Sequence, residues 1–163
     1  LVKLFEEFPE LNAWYDNATG ELIVKQHVNM GLAVDTPRGL YVAVLRNMEQ
    51  KGLFDLAREM FEVVDRCRTG KATSEELTGS TFTITSVGRF GGMFATPIIN
   101  VPEVAILGLN RLEQRPVVRD GEVVVRTMMY VSPSFDHRVI DGAVAARFMT
   151  ALKGAIQNPA ALL

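Results

Sequence analysis

The sequence predicts an α+β domain built on a mixed or mostly antiparallel sheet, and three observations carry that prediction. Apolar residues alternate with period two in several separate stretches, the signature of strands with one buried face. Two longer stretches, 53–68 and 142–157, instead place them at helical spacing. The two kinds of stretch follow one another with no repeat, low-complexity tract or linker between them, so they are expected to share one core. With 163 residues, 48% of them hydrophobic, the chain suits a single domain that buries ~70% of its unfolded surface, which excludes disorder.

Taken in order, residues 1–8 (LVKLFEEF) put Leu1, Leu4, Phe5 and Phe8 on one helical face until Pro9 interrupts it. From Leu22 to Val34 the alternation sets Val28, Met30, Leu32 and Val34 against His27, Asn29 and Gly31, which predicts a strand. The turn-prone DTPRG leads into LYVAVL (40–45). A connection this short cannot cross over, so the second strand is predicted to run antiparallel to the first. Leu53, Leu56, Ala57, Met60, Phe61, Val63, Val64 and Cys67 form the apolar face of the helix predicted over 53–68, with Gly70 as its stop. TSEE (73–76) has the spacing of a capping box, and STFTITSV (80–87) is the next strand. Beyond the glycine-bearing loop Gly88 to Gly92 come an apolar strand around VAILGL (104–109), a turn at Asp120-Gly121 and a further alternating strand over 122–131. The last helix, 142–157, turns Val144, Ala145, Phe148, Ala151, Leu152 and Ile156 to one face, and Asn158-Pro159 ends it.

Composition narrows the function classes. Seventeen Lys+Arg against 19 Asp+Glu give a net charge of −2, and the basic residues are scattered, so no nucleic-acid partner is expected. No apolar run approaches the ~18 residues of a membrane span, and the acidic start with Glu6, Glu7 and Glu10 lacks a signal peptide's layout, so no membrane is expected. Cys67, the single cysteine, has neither a disulfide partner nor a C-x-x-C neighbour. That favours a reducing compartment and no metal site. Leu1 falls inside a helical pattern, which reads as a piece of a longer protein.

Only two histidines are present. His137 lies in SFDHRVIDGA, between an alternating strand and the last helix, where an imidazole with its ordinary pKa of ~6.5 could serve as a general base. On these residues alone the plainer alternative is a structural histidine beside Asp141 acting as a helix cap. His27 has no comparable setting. Ser132 and Ser134 near His137 raise a Ser-His-Asp hydrolase, but no G-x-S-x-G elbow surrounds either one. The loop Gly88-Arg89-Phe90-Gly91-Gly92 has neither Rossmann nor Walker spacing and argues for no phosphate cradle.

The string DHRVIDG has the H-x-x-x-D-G form of coenzyme-A-dependent acyltransferases and resembles the signature of the dihydrolipoamide acyltransferase cores of 2-oxo acid dehydrogenase complexes. TFTITSVGRFGG, TPIINVPEVAILGL and NMGLAVDTPRGLYVAVL resemble other segments of that family in the right order, from about Asn29 to Leu163. The resemblance implies a chloramphenicol-acetyltransferase-like two-layer fold, a mixed β-sheet flanked by helices. It also implies that residues 1–163 are an acyltransferase catalytic domain lacking its N-terminal portion, with no lipoyl or subunit-binding domain and no coenzyme contacts assigned from that portion.

Carried over residue by residue, His137 becomes the base that removes the thiol proton and Thr85, where the family often has serine, the hydroxyl that steadies the oxyanion. Asp141 becomes an orienting group and Arg138 an ion-pair partner, while Gly142 reads as permissive backbone. Ser86 stands where Asn is frequent and Ala43 where Pro is usual; neither change removes a reacting group. The implied reaction moves an acyl group between dihydrolipoamide and coenzyme A. It takes place in homotrimers whose sites pair His137 of one chain with Thr85 of the next. The trimers would join a larger core, bridged by Leu162 and Leu163, that gathers 2-oxo acid dehydrogenase and dihydrolipoamide dehydrogenase components in the cytoplasm or, in a eukaryote, the mitochondrial matrix. A coenzyme-A-dependent O- or N-acetyltransferase and a non-catalytic core scaffold are the alternatives. For the acyl group, RTMMYVSPSFDHR resembles the succinyl-transferring members and NVPEVAILG the acetyl or branched-chain ones, with the balance leaning to the latter.

Overall fold

The computed structural model describes residues 1–86, 88 and 92–159. Its elements are α1 (Val2–Glu7), β1 (Ala13–Asp16), β2 (Glu21–Val24), β3 (Met30–Thr36), β4 (Gly39–Leu45), α2 (Leu53–Arg68), β5 (Phe82–Ser86), β6 (Ala105–Arg119), β7 (Glu122–Phe135) and α3 (Gly142–Gln157). Five strands form one sheet in the order β4-β3-β5-β6-β7, and β1 pairs with β2 in a separate hairpin. The β3-β5 and β5-β6 pairs are parallel and the two outer pairs antiparallel, so the sheet is mixed, as the sequence predicts.

The core lies between one face of this sheet and the three helices. Phe5 of α1, Val63 and Cys67 of α2, and Phe148 and Leu152 of α3 pack in one cluster with Met30, Val34, Phe82, Ala105 and Leu107. Aromatic rings fill its centre, with Phe82 between Phe5 and Phe148 at centroid distances of 5.1 and 6.5 Å. Both long helices begin and end where the sequence predicts. Gly70, just past the end of α2, takes the left-handed φ of 70° that favours glycine at such a stop. The 73–76 box closes reciprocally: Thr73 N–H donates to Glu76 Oε2 at 2.9 Å, and Glu76 N–H to Thr73 Oγ1 at 3.3 Å.

Three expectations need correction. The single strand read over Leu22–Val34 is two strands in different sheets. The chain bends between them because Asn12 Nδ2 donates to the carbonyls of Lys25 and His27, and the backbone N–H of Lys25 donates to Asn12 O. The strand around 104–109 runs on to Arg119. Its pairing with β5 ends at Leu109, so the rest of β6 and its partner β7 project as a two-stranded ribbon. Finally, the apolar face drawn for α2 is too wide: Leu53 and Phe61 are exposed, and Val63 and Cys67 carry the burial.

The opposite face of the sheet is partly covered by the β1-β2 hairpin and the segment leading into β6. Glu103 holds this layer together. It is buried, and its Oε1 accepts from Ser80 Oγ at 2.5 Å, Thr83 Oγ1 at 2.9 Å and Asn100 Nδ2 at 2.9 Å, while Oε2 has no partner among the described residues. Burial pushes the Glu103 carboxyl above the usual carboxylate range against the effect of those three donors. A raised native pKa means that the folded protein holds the proton more tightly than the unfolded chain. The Glu103 contribution to stability is therefore full below the ordinary carboxylate range and is lost as pH rises from there through the raised native value. Glu103→Gln keeps an acceptor and cannot ionise. It is expected to melt about 2–4 °C above the wild type near pH 8, with the gap closing towards pH 4; melting curves with a pH-independent offset would contradict this.

Candidate functional site

The turn that carries His137 is shaped by its neighbours. Asp136, just past the end of β7, donates its backbone N–H to Val104 O at 2.8 Å, and its carbonyl accepts from Val139 and Ile140. Its carboxylate caps the turn from within: Oδ1 accepts the Arg138 backbone N–H at 3.0 Å. Buried Ile140 anchors the far side, so His137 stands at an exposed crest between two fixed points. Asp141 then starts α3 as its N-cap, with Oδ1 accepting from Val144 N at 2.8 Å. That bond first, then the Ala143 N–H and the nearby Arg147 and His137, holds the Asp141 carboxyl below the usual carboxylate range. Asp141 thus caps α3 and fixes the end of the turn that carries His137. The expected ion pair of Arg138 is present, with Asp136. Gly142 opens α3 without a positive φ, and a Cβ there would meet nothing within 4 Å among the described residues, so none of them demands glycine at that position.

Thr85 is half-buried near the C-terminal end of β5, on the strand face that also carries Thr83. Directly beside it on β6 is Gly108, which has no room for a side chain: a Cβ would lie 2.9 Å from Ser132 O and 3.3 Å from the Pro97 ring. A cleft of about 420 Å³ adjoins this strand end, lined by Ser86, Gly88, Leu109, Asn110 and Met129 among others. Ser132 and Ser134 do not serve a hydrolase triad. Ser132 Oγ accepts from Asn110 Nδ2 at 2.9 Å, and Ser134 Oγ donates to Pro97 O at 2.6 Å.

Sheet register fixes how far apart the two principal residues lie. Thr85 pairs with Gly108 and Gly108 with Ser132, whereas Phe135, at the end of β7, pairs with Ala105. Three residue steps and two strand spacings put Phe135 roughly 14 Å from Thr85, and His137 follows further towards the opposite end of the sheet. Within one chain the two cannot flank a single sulfur atom. The arrangement that the family resemblance implies, with His137 and Thr85 supplied by different chains, is compatible with this separation. The Arg89–Gly91 part of the glycine loop, and Leu162 and Leu163, lie outside the described residues. Sequence reasoning missed Asp136, although its position two residues before Arg138 signals a side-chain turn, and it missed the β1-β2 hairpin against which Arg138 rests.

This fold defines a class: that of chloramphenicol acetyltransferase, matched at a TM-score of 0.54 and 14% identity, a likeness of fold alone. The particular family follows from the sequence: the chain belongs to the 2-oxoacid dehydrogenases acyltransferase (catalytic domain) family, whose model matches residues 1–163. It is 43% identical over its full length to a dihydrolipoyllysine-residue acetyltransferase component of the pyruvate dehydrogenase complex from Staphylococcus epidermidis. To a lipoamide acyltransferase component of the branched-chain alpha-keto acid dehydrogenase complex from Pseudomonas putida it is 46% identical over 99% of the chain. It spans 38% of the length of each of these relatives. Among solved structures, the Azotobacter vinelandii dihydrolipoamide acetyltransferase matches with a TM-score of 0.92 and 44% identity, over 99% of this chain and 67% of that one. That work concerned a serine, a histidine and an asparagine in the catalytic mechanism. The serine precedes the histidine by as many positions as Thr85 precedes His137, and the asparagine follows it as Asp141 follows His137.

Proposed function

We propose that this domain transfers an acyl group between the thiol of dihydrolipoamide and that of coenzyme A, at a site built by two chains. The observation that carries the reading is the His137 turn, capped by Asp141, in a chain that matches the acyltransferase family from end to end. A thioester needs no protein nucleophile when the acceptor is itself a thiol. His137 takes the thiol proton as sulfur attacks the carbonyl, and the Thr85 hydroxyl of the neighbouring chain donates to the developing oxyanion. Collapse of the tetrahedral intermediate expels the other thiolate, which recovers the proton from the imidazolium. Asp141 keeps the turn in place, and no acyl-enzyme forms.

The separation of His137 and Thr85 calls for at least two chains; the family resemblance makes the assembly a homotrimer, and assembly into a larger core is supported by the relatives, one of which forms the cubic core of a pyruvate dehydrogenase complex. The projecting ribbon supports assembly: Leu112, Val118, Val123 and Val125 are exposed on it, an apolar face that a lone monomer would leave in water. Within the whole protein, 2-oxo acid dehydrogenase and dihydrolipoamide dehydrogenase would be the partner enzymes. The cytoplasm or mitochondrial matrix, where Cys67 stays reduced, would be the compartment.

The acyl group we assign is acetyl or branched-chain. Steady-state turnover of the full-length protein with dihydrolipoamide is expected to be at least tenfold higher in kcat/KM for acetyl- or isobutyryl-coenzyme A than for succinyl-coenzyme A. Alcohols and amines are expected to be poor acceptors. Preference for an alcohol or amine acceptor would favour the O- or N-acetyltransferase alternative, and a correctly assembled core with no turnover would favour a scaffold.

A further inference from the structure

The β1-β2 hairpin reaches the catalytic turn through one side chain. Arg138, next to His137, grips Asp136 in a fork, Nε to Oδ1 at 2.9 Å and Nη2 to Oδ2 at 2.6 Å. Its Nη1 donates to Asn17 Oδ1 at 2.9 Å, and its guanidinium lies over the Tyr15 ring, with Cζ 4.0 Å from the centroid. The hairpin is itself fixed: Tyr15 N–H donates to Pro102 O at 2.9 Å and Trp14 Nε1 to Ser80 O at 2.8 Å. One planar guanidinium thus touches three groups on both sides of the histidine turn, a geometry an ammonium could not reproduce.

We propose that Tyr15 and Asn17 are positioning residues that set the direction of the His137 imidazole by acting through Arg138. The inference rests on the reading of His137 as the base. Magnitudes separate positioning from plain support of the fold. The Arg138–Asp136 fork is untouched when the hairpin side chains are changed, and the Arg138 side chain is 55% exposed, so its contacts with Asn17 and Tyr15 are worth little to stability. Direction is another matter, since a displacement of about 1 Å at a proton-transfer group can cost as much as ~10²-fold in rate. Removing the hairpin contacts is therefore expected to lower kcat while stability and substrate affinity stay nearly level.

The test uses the full-length protein and the acyl-transfer assay above. The Tyr15→Leu, Asn17→Ala double variant is expected to show kcat reduced about tenfold, KM for both substrates within about twofold, and unchanged core assembly by sedimentation. Tyr15→Phe and Asn17→Asp, which keep a ring and an acceptor, are expected to return kcat to near the wild-type value, and Arg138→Lys is expected to behave like the double variant. Loss of assembly or of melting temperature with kcat per assembled core unchanged would overturn positioning and leave a structural hairpin. His137→Ala tells the two failures apart. If it is inactive while the double variant is fully active, only the hairpin inference falls; if it is itself active, the role of His137 and the inference fall together.

Discussion

Replacing His137 with alanine is expected to lower acyl transfer by about 10²–10⁴-fold, the range of a positioned general base. The change should leave the protein otherwise intact, because His137 is exposed at the crest of a turn whose stability comes from Asp136, Ile140 and Asp141. Core assembly and the melting temperature are accordingly expected to match the wild type. The thiol substrates are mostly protonated at neutral pH, so the remaining rate should climb with pH as more free thiolate becomes available, narrowing the gap to wild type. Turnover within threefold of wild type at neutral pH would remove the imidazole from the mechanism.

The second large effect is at Thr85. If its hydroxyl donates to the oxyanion, Thr85→Val, which keeps shape and removes the donor, should cost about 10²–10³ in kcat, or roughly 3–4 kcal/mol. Thr85→Ser keeps the donor and should be mild. Equal losses from both would show that packing beside Gly108, and not the hydroxyl, is what the site requires. The roughly 14 Å of sheet between Thr85 and Phe135 adds a sharper measurement. Co-expressed in equal amounts, chains carrying only His137→Ala and chains carrying only Thr85→Val should regain about a quarter of wild-type activity, since random mixing restores one intact two-chain site in about four of a cyclic assembly. A mixture as inactive as its parents would place both residues of each site on one chain, against the register.

Much of this was legible in local patterns. The bounds of α2 and α3 follow from apolar spacing and from the stop at Gly70, and the hairpin at Asp120-Gly121 follows from a dipeptide whose residues both take positive φ, 53° and 83°. The Asp141 cap follows from the preference of a short carboxylate for unpaired N–H groups at a helix start. Less legible were features that depend on distant partners. The break between β2 and β3 comes from Asn12, and the buried carboxyl of Glu103 draws together Ser80, Thr83 and Asn100. Nothing near Tyr15 or Asn17 in the chain signals that Arg138, far along it, will rest on them.

By itself, then, the sequence determined the α+β class and the long helices, because spacing and caps act over a few residues, while the histidine, threonine and aspartate were named only through the family resemblance. Only the tertiary structure decided that Thr85 and His137 stand at opposite ends of one sheet. That outcome depends on strand order and register, which arise when segments far apart in the chain bury their apolar faces together and each strand can satisfy its hydrogen bonds in one alignment only.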